Sequence, residues 1–321
     1  MSVTQLIHAL PAPVRARLEA ARISAADLAP ALGWPDEDAV LLAGSTASEL
    51  ATAASDLDFL VLREADEPIE LLAAGRGLPA GAFQASSLID RILTLVHGVE
   101  IDVWVVSAPR LARLAGVLAA SIGEDGTIHS LPGLQYLEQK LLCRLHEAIV
   151  LQGAATVERW WERLRVAHLP VFLTASLLVE AWSYLEDAVS IAQPRAAGGL
   201  GSPLGGFLAA RAAAERLVHA AFTAAGVIGW DLRYAELNRR RLQREGGVPP
   251  AVLADLEPLL FPAPPAGERE AAAREYADLV LDHTARLVGE MRARPMMAPA
   301  LAFLRSFGRG RWQLDVGFLE G

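Results

Sequence analysis

The chain of 321 residues has one cysteine, Cys143, and one lysine, Lys140; every other basic side chain is arginine. A single cysteine excludes an internal disulfide and any cysteine-based metal site, and its helix-like apolar surroundings mark it as a buried thiol. The seven histidines are scattered, with no two standing four residues apart, which excludes the helical zinc pattern. Positive charge is also scarce: 29 basic against 38 acidic residues leave a formal net charge of −9. Long-range attraction to nucleic acid or to an anionic membrane is therefore not expected. The N-terminus lacks a basic start followed by a long apolar stretch, so no secretory leader is expected. The best membrane candidate, residues 169–182, falls short of the roughly 20 residues that a spanning helix needs, and it carries Glu180. A cytoplasmic protein that does not enter a membrane is the expectation.

What the chain does have is apolar surface. Hydrophobic residues make up 53% and the mean hydropathy is +0.29, so it must build a core, and its length suggests two domains. Pro11 and Pro13 open a segment whose apolar positions recur at helical spacing through Leu32. Strand signals then follow at 39–43, 57–62, 88–97 and 99–106, the last two separated by Gly98, which suits a hairpin or a bulged corner. Residues 45–55 contain neither glycine nor proline and suit a helix joining the first two strands. From Ala108 onward the pattern is helical almost throughout, punctuated at 123–133, 193–206, 245–250 and 262–267. The expected architecture is α+β: a small mixed sheet flanked by helices over 1–110, then an all-α bundle over 111–321. The tail 308–321 has no helical pattern.

The most informative stretch is LLAGSTASELATAASDLDFLVL, residues 41–62. A strand ends at Ala43, the chain turns at Gly44 and Ser45, and a second strand carries Asp56 and Asp58. Residues two apart on a strand share a face, so both carboxylates project together while Leu57 and Phe59 point the other way. Two adjacent acids disfavour joint ionisation unless a positive group lies between them. A hard divalent cation such as magnesium meets that need and leaves positions for substrate phosphates. Gly44 lets backbone approach a ligand closely, and the amides after it can hold phosphate oxygens. A third acid, Asp102, lies between Ile101 and Val103 in a strand expected beside the one bearing the pair; Glu100 is nearby. Three such acids could hold two cations about 3.5–4 Å apart, the arrangement used for in-line displacement at phosphorus.

Gly44 and Ser45, ten intervening residues, Asp56 and Asp58 set between apolar neighbours, and the later Asp102 together resemble the signature of the nucleotidyltransferase superfamily related to DNA polymerase β. The nearer relatives are bacterial enzymes that modify small molecules such as aminoglycosides, and the minimal nucleotidyltransferases. The resemblance covers about residues 39–106. It implies Asp56 and Asp58 as ligands of two magnesium ions, Asp102 as a further ligand or the base for the acceptor hydroxyl, and Gly44 and Ser45 as the triphosphate cradle. It also implies transfer of a nucleoside monophosphate, AMP from ATP, to a hydroxyl of a small acceptor held by the helical domain, with release of pyrophosphate. Lys140, on a periodic helix after the sheet, is the implied phosphate contact, with Arg144 one turn along and Glu138 a reserve base. Minimal members place an arginine and a glycine soon after the Gly-Ser pair, whereas Thr46, Ala47, Ser48 and Glu49 follow here. Two alternatives stand beside this reading: transfer of AMP to a protein, and a catalytically silent nucleotide-binding scaffold. The arginines of LNRRRLQR, 237–244, read as a solvated face, and Trp160, Trp161, Trp182 and Trp230 as packing residues.

Overall fold

The computed structural model describes residues 2–48, 50–52, 55–65, 77–78, 82–192, 202–228, 235–245, 254, 258–259, 269–309 and 317–319. Glu49, Trp230 and most of the tail 308–321 lie outside them, as do the glycine- and proline-rich stretches 193–201, 246–250 and 262–267. The chain divides into two compact units, one comprising 1–120 and 132–167, the other 121–131 and 168–321.

The first unit opens with three short helices, α1 (Val3–Ala9), α2 (Ala12–Ala20) and α3 (Ala25–Leu32). Capping boxes fix two of their starts: Ser2 with Gln5 begins α1, and Ser24 with Asp27 begins α3, each side chain satisfying an orphan amide of the first turn. The sheet contains β1 (Ala39–Ala43), β2 (Leu57–Arg63), β3 (Phe83–Ala85), β4 (Asp90–Val96), β5 (Val99–Ser107) and β6 (Ile149–Gln152). Its spatial order is β3-β4-β5-β2-β1-β6, with β2 and β5 parallel and the other pairs antiparallel. The expected hairpin is present. His97 and Gly98 both have positive φ, 47° and 83°, which matches the twist of a two-residue turn between Val96 and Val99.

Alternation sorts the central strands onto two faces. Val40 and Leu42 of β1, Leu57, Phe59 and Val61 of β2, and Ile101, Val103 and Val105 of β5 share one buried cluster with Leu6, Leu10, Leu18, Leu28 and Leu32 from the three helices. The opposite face carries Asp58 and Asp102. There it meets the four-residue α4 (Gly44–Ala47), α6 (Tyr136–Glu147) and α7 (Ala154–Arg163), while α5 (Ala108–Ser121) follows β5.

The joining helix expected over 45–55 is only α4. The hydroxyl of Ser48 donates to the carbonyls of Gly44 and Ser45, and Thr52 and Ser55 bond to one another, so short side chains compete for backbone groups that a longer helix would use. The periodic helix that carries Lys140 ends at Glu147. Ile149 and Val150 suit a strand, and β6 pairs with the otherwise open edge of β1. The Gln152 amide fastens it to the carbonyls of Pro35 and Asp38. The sheet-bearing unit therefore runs past residue 110 and includes α6.

In the second unit α8 (Leu169–Ala192) packs on α9 (Pro203–Ala224), α11 (Arg269–Arg292) and α12 (Ala298–Gly308), and a short α10 (Ala235–Glu245) touches α9. The apolar run at 169–182 is part of a longer helix than its composition suggested. Among the described residues, 166–191 is the one helical segment long and apolar enough to cross a membrane, and 67% of its apolar window is buried within the fold. Buried alanines 210, 213, 214, 220, 221 and 224 give α9 a smooth contact surface. Arg239 and Arg240 both pair with Glu236 on α10, and Trp160, Trp182 and Cys143 are buried.

Candidate active site

Where β1 ends, Gly44 takes a φ of +66°, the left-handed region open to glycine. Position 44 is closed to a side chain for a second reason: a Cβ there would lie 2.1 Å from Oδ2 of Asp58. The backbone thus passes directly against a carboxylate. The hydroxyl of Thr46 donates to the Asp56 carbonyl at 3.4 Å, tying the turn to the start of β2.

The parallel register sets Asp58 beside Asp102, and Asp56 stands two residues before Asp58 on the same alternation. One oxygen from each of the three lies within 4.8 Å of the others. A hard ion binding oxygens at about 2.1–2.6 Å keeps them no more than about 4–5 Å apart, so this donor set fits one divalent ion. Asp58 and Asp102 are 4% and 2% exposed, whereas Asp56 is half-buried. Burial pushes the Asp58 carboxyl up to about 6; Arg144 opposes that rise, and the charges of Asp56 and Asp102 add to it. Glu100, although on the same strand face as Asp102, is exposed.

Two arginines meet the acids. Arg91 donates from Nε and Nη2 to the two oxygens of Asp102, at 2.7 and 3.1 Å, a planar two-point clamp. Arg144 on α6 places Nη2 2.5 Å from Asp58 Oδ1 and 3.6 Å from Asp102 Oδ2. Its guanidinium lies 3.9 Å from the centre of the Trp104 ring. The Lys140 ammonium, one turn earlier, is 5.4 Å from the Trp104 ring centre and 5.9 Å from that of Tyr136. Burial, and next the charge of Arg144, lower its proton affinity. Asp102, Arg91, Trp104 and Lys140 line a cavity of about 280 Å3 together with Gln84, Ser86 and Leu137.

No family model matches the chain, and no curated protein does. Among solved structures it is similar to a nucleotidyltransferase-like protein from Exiguobacterium sibiricum 255-15. The two are 12% identical with a TM-score of 0.39, and the match covers 86% of this chain and 83% of that one. What the site can do is read from its own side chains.

The structure brings Asp56, Asp58, Asp102 and Gly44 together, with Ser45 next along the turn. It places Lys140 in the cavity beside Asp102, without an ion pair among the described residues. Glu138, the reserve base, is spent on the helix start: its carboxylate accepts from the Gln135 amide at 2.9 Å and lies 3.7 Å from Arg113. Arg91 and Trp104 were not singled out from the sequence, yet the hairpin contains them. Counting back from His97-Gly98 pairs Leu93 with Asp102 and Arg91 with Trp104. A long side chain at 91 then reaches the diagonal neighbour two residues away, as cross-strand geometry allows.

Proposed function

We propose that this protein is a metal-dependent nucleotidyltransferase that moves a nucleoside monophosphate, AMP from ATP, to a hydroxyl of a small acceptor. The observation that carries the proposal is the convergence of Asp56, Asp58 and Asp102 around a space for one ion, beside a glycine turn too tight for a side chain. A divalent ion held by the three carboxylates, magnesium by the hardness of the donors, would offset triphosphate charge and polarise the reacting phosphorus; a second would draw most of its oxygens from the triphosphate. Backbone amides at Gly44 and Ser45 are the proposed cradle for the phosphates. Lys140 supplies a compact positive charge at the cavity wall, and Asp102 opens into the cavity where an acceptor would sit. The hydroxyl gives its proton to Asp102, the proposed base, and its oxygen bonds to the α-phosphorus as the bond to pyrophosphate breaks.

One observation favours a second reading, a catalytically silent nucleotide-binding protein: Arg91 and Arg144 already neutralise part of the acid cluster. A nucleotide and acceptor screen, read by pyrophosphate release and by mass spectrometry of the products, separates the two. Activity that requires a divalent ion and disappears in Asp56→Asn and Asp58→Asn, with the circular dichroism spectrum unchanged, supports the enzyme. Full turnover in either variant, or nucleotide binding without release across the panel, overturns it.

A further inference from the structure

The side chain that stands out in the cluster is Arg144. It is only 10% exposed, it is held by Asp58 and approaches Asp102, and its Nη1 is buried without a hydrogen-bond partner. Its guanidinium carbon sits over the Trp104 ring, 3.9 Å from the ring centre. The Asp58 oxygen it contacts belongs to the carboxylate that an ion would need, so guanidinium and ion compete for the same charge. Arginine and metal each weaken the other's hold on Asp58, because they draw on one carboxylate charge and two cations within about 4 Å in a buried place repel. A triphosphate changes that balance. It brings several negative oxygens, and a guanidinium with an unused Nη1–H is suited to follow them.

We infer that Arg144 is the resident counter-ion of the acid cluster and a positioning residue for the metal, so that the divalent ion binds tightly only together with the triphosphate that draws Arg144 away. This rests on the proposed metal and nucleotide site and adds to it an order of binding. Arg91 is unsuited to the same role: its two bonds go to Asp102 alone, and its side chain is 32% exposed. The consequence is strong coupling between ion and nucleotide, equal in both directions by linkage.

The test is titration of the full chain with Mn2+, followed by the loss of the free-ion electron paramagnetic signal, without and with the non-hydrolysable analogue α,β-methylene-ATP, with the Mn2+ that the analogue alone takes up in a protein-free titration subtracted. The wild type should bind Mn2+ about tenfold or more tightly when the analogue is present. Arg144→Gln should bind Mn2+ alone about tenfold more tightly than the wild type and show little further gain from the analogue, whereas Arg144→Lys, which keeps the charge, should retain coupling. Trp104→Leu leaves every charge in place but removes the ring under Arg144, so it should tighten Mn2+ alone severalfold; it carries the test if Arg144→Gln does not fold. Wild-type affinity unchanged by the analogue, or Arg144→Gln binding Mn2+ no more tightly than wild type, overturns the inference while leaving the metal site standing. Absence of Mn2+ binding in the wild type and all three variants, analogue present or not, overturns the metal site itself and this inference with it.

Discussion

Replacing Gly44 by alanine tests the geometry on which the site depends, and Gly98 supplies a matched control. Both glycines have positive φ, +66° and +83°, so an alanine at either must adopt a left-handed backbone, at a cost of about 1–2 kcal/mol. They differ in what the new methyl group meets. At position 98 nothing lies within 4 Å, whereas at 44 the methyl would stand 2.1 Å from Asp58 Oδ2, well inside the 3.4–4 Å of ordinary contact. Asp58 must therefore move by more than an ångström or the turn must open, and either loosens the buried pair with Arg144. Adding part of the roughly 3–5 kcal/mol that breaking a buried pair costs gives a total near 3–5 kcal/mol for Gly44→Ala. For a unit of this size that lowers the melting temperature by about 10 °C, against about 3–6 °C for Gly98→Ala. Thermal unfolding by circular dichroism measures the two losses, and pyrophosphate release measures activity. Activity should fall about 100-fold in Gly44→Ala, the scale of a one-ångström misplacement, and stay near wild type in Gly98→Ala. Equal melting shifts in the two variants, or full activity in Gly44→Ala, would refute the reasoning.

The raised Asp58 carboxyl has a sign that can be checked. Below its ordinary value of 3.8 the group is protonated in both folded and unfolded chains; above that the unfolded chain ionises first, so the metal-free fold loses stability as pH rises through about 6. The loss approaches about 3 kcal/mol above pH 7, read as the stability difference between wild type and Asp58→Asn in urea from pH 4 to 8; a constant difference refutes it. Lys140→Met keeps the apolar stem on Trp104 but removes a charge that has no carboxylate partner among the described residues, so the melting temperature should move by less than about 2 °C. If Lys140 meets the phosphates as proposed, KM for the triphosphate rises about tenfold with little change in protein stability, and an unchanged KM removes Lys140 from the site.

The strands that carry the acids were legible because alternation is a local signal: AVLLA, LDFLVL and VEIDVWVV each bury one face against the N-terminal helices, and a period of two fixes which acids share the other. The adjacency of Asp58 and Asp102 was foreseen only as neighbouring strands; the parallel register that sets them side by side is a long-range pairing without a local sequence mark. Helix lengths were less legible. Serine and threonine hydroxyls cut α4 short, and β6 exists because the edge of β1 was open, a tertiary circumstance that overrides the helical pattern of the preceding residues. Arg144 was visible as a cation one turn from Lys140, yet nothing local says that the second of those two, rather than the first, reaches the acids.

That difference between neighbours on one helix decides how the cluster is balanced. Three carboxylates lie within reach of one ion, and two of them are already bonded to arginine. Arg91 takes both oxygens of Asp102 in a fixed plane, which orients the carboxylate and leaves each oxygen a second lone pair for an ion or a hydroxyl. Arg144 instead spans from Asp58 toward Asp102, two of the three acids within reach of one ion. One arginine therefore orients a single carboxylate, while the other bridges toward two and is the one proposed to give way to a metal. An acid cluster built only for structure would need neither the glycine pressed against Asp58 nor the half-buried Asp56, which the structure leaves without an arginine among the described residues. Those two features are what the proposed exchange of cations would use and a permanent ion pair would not.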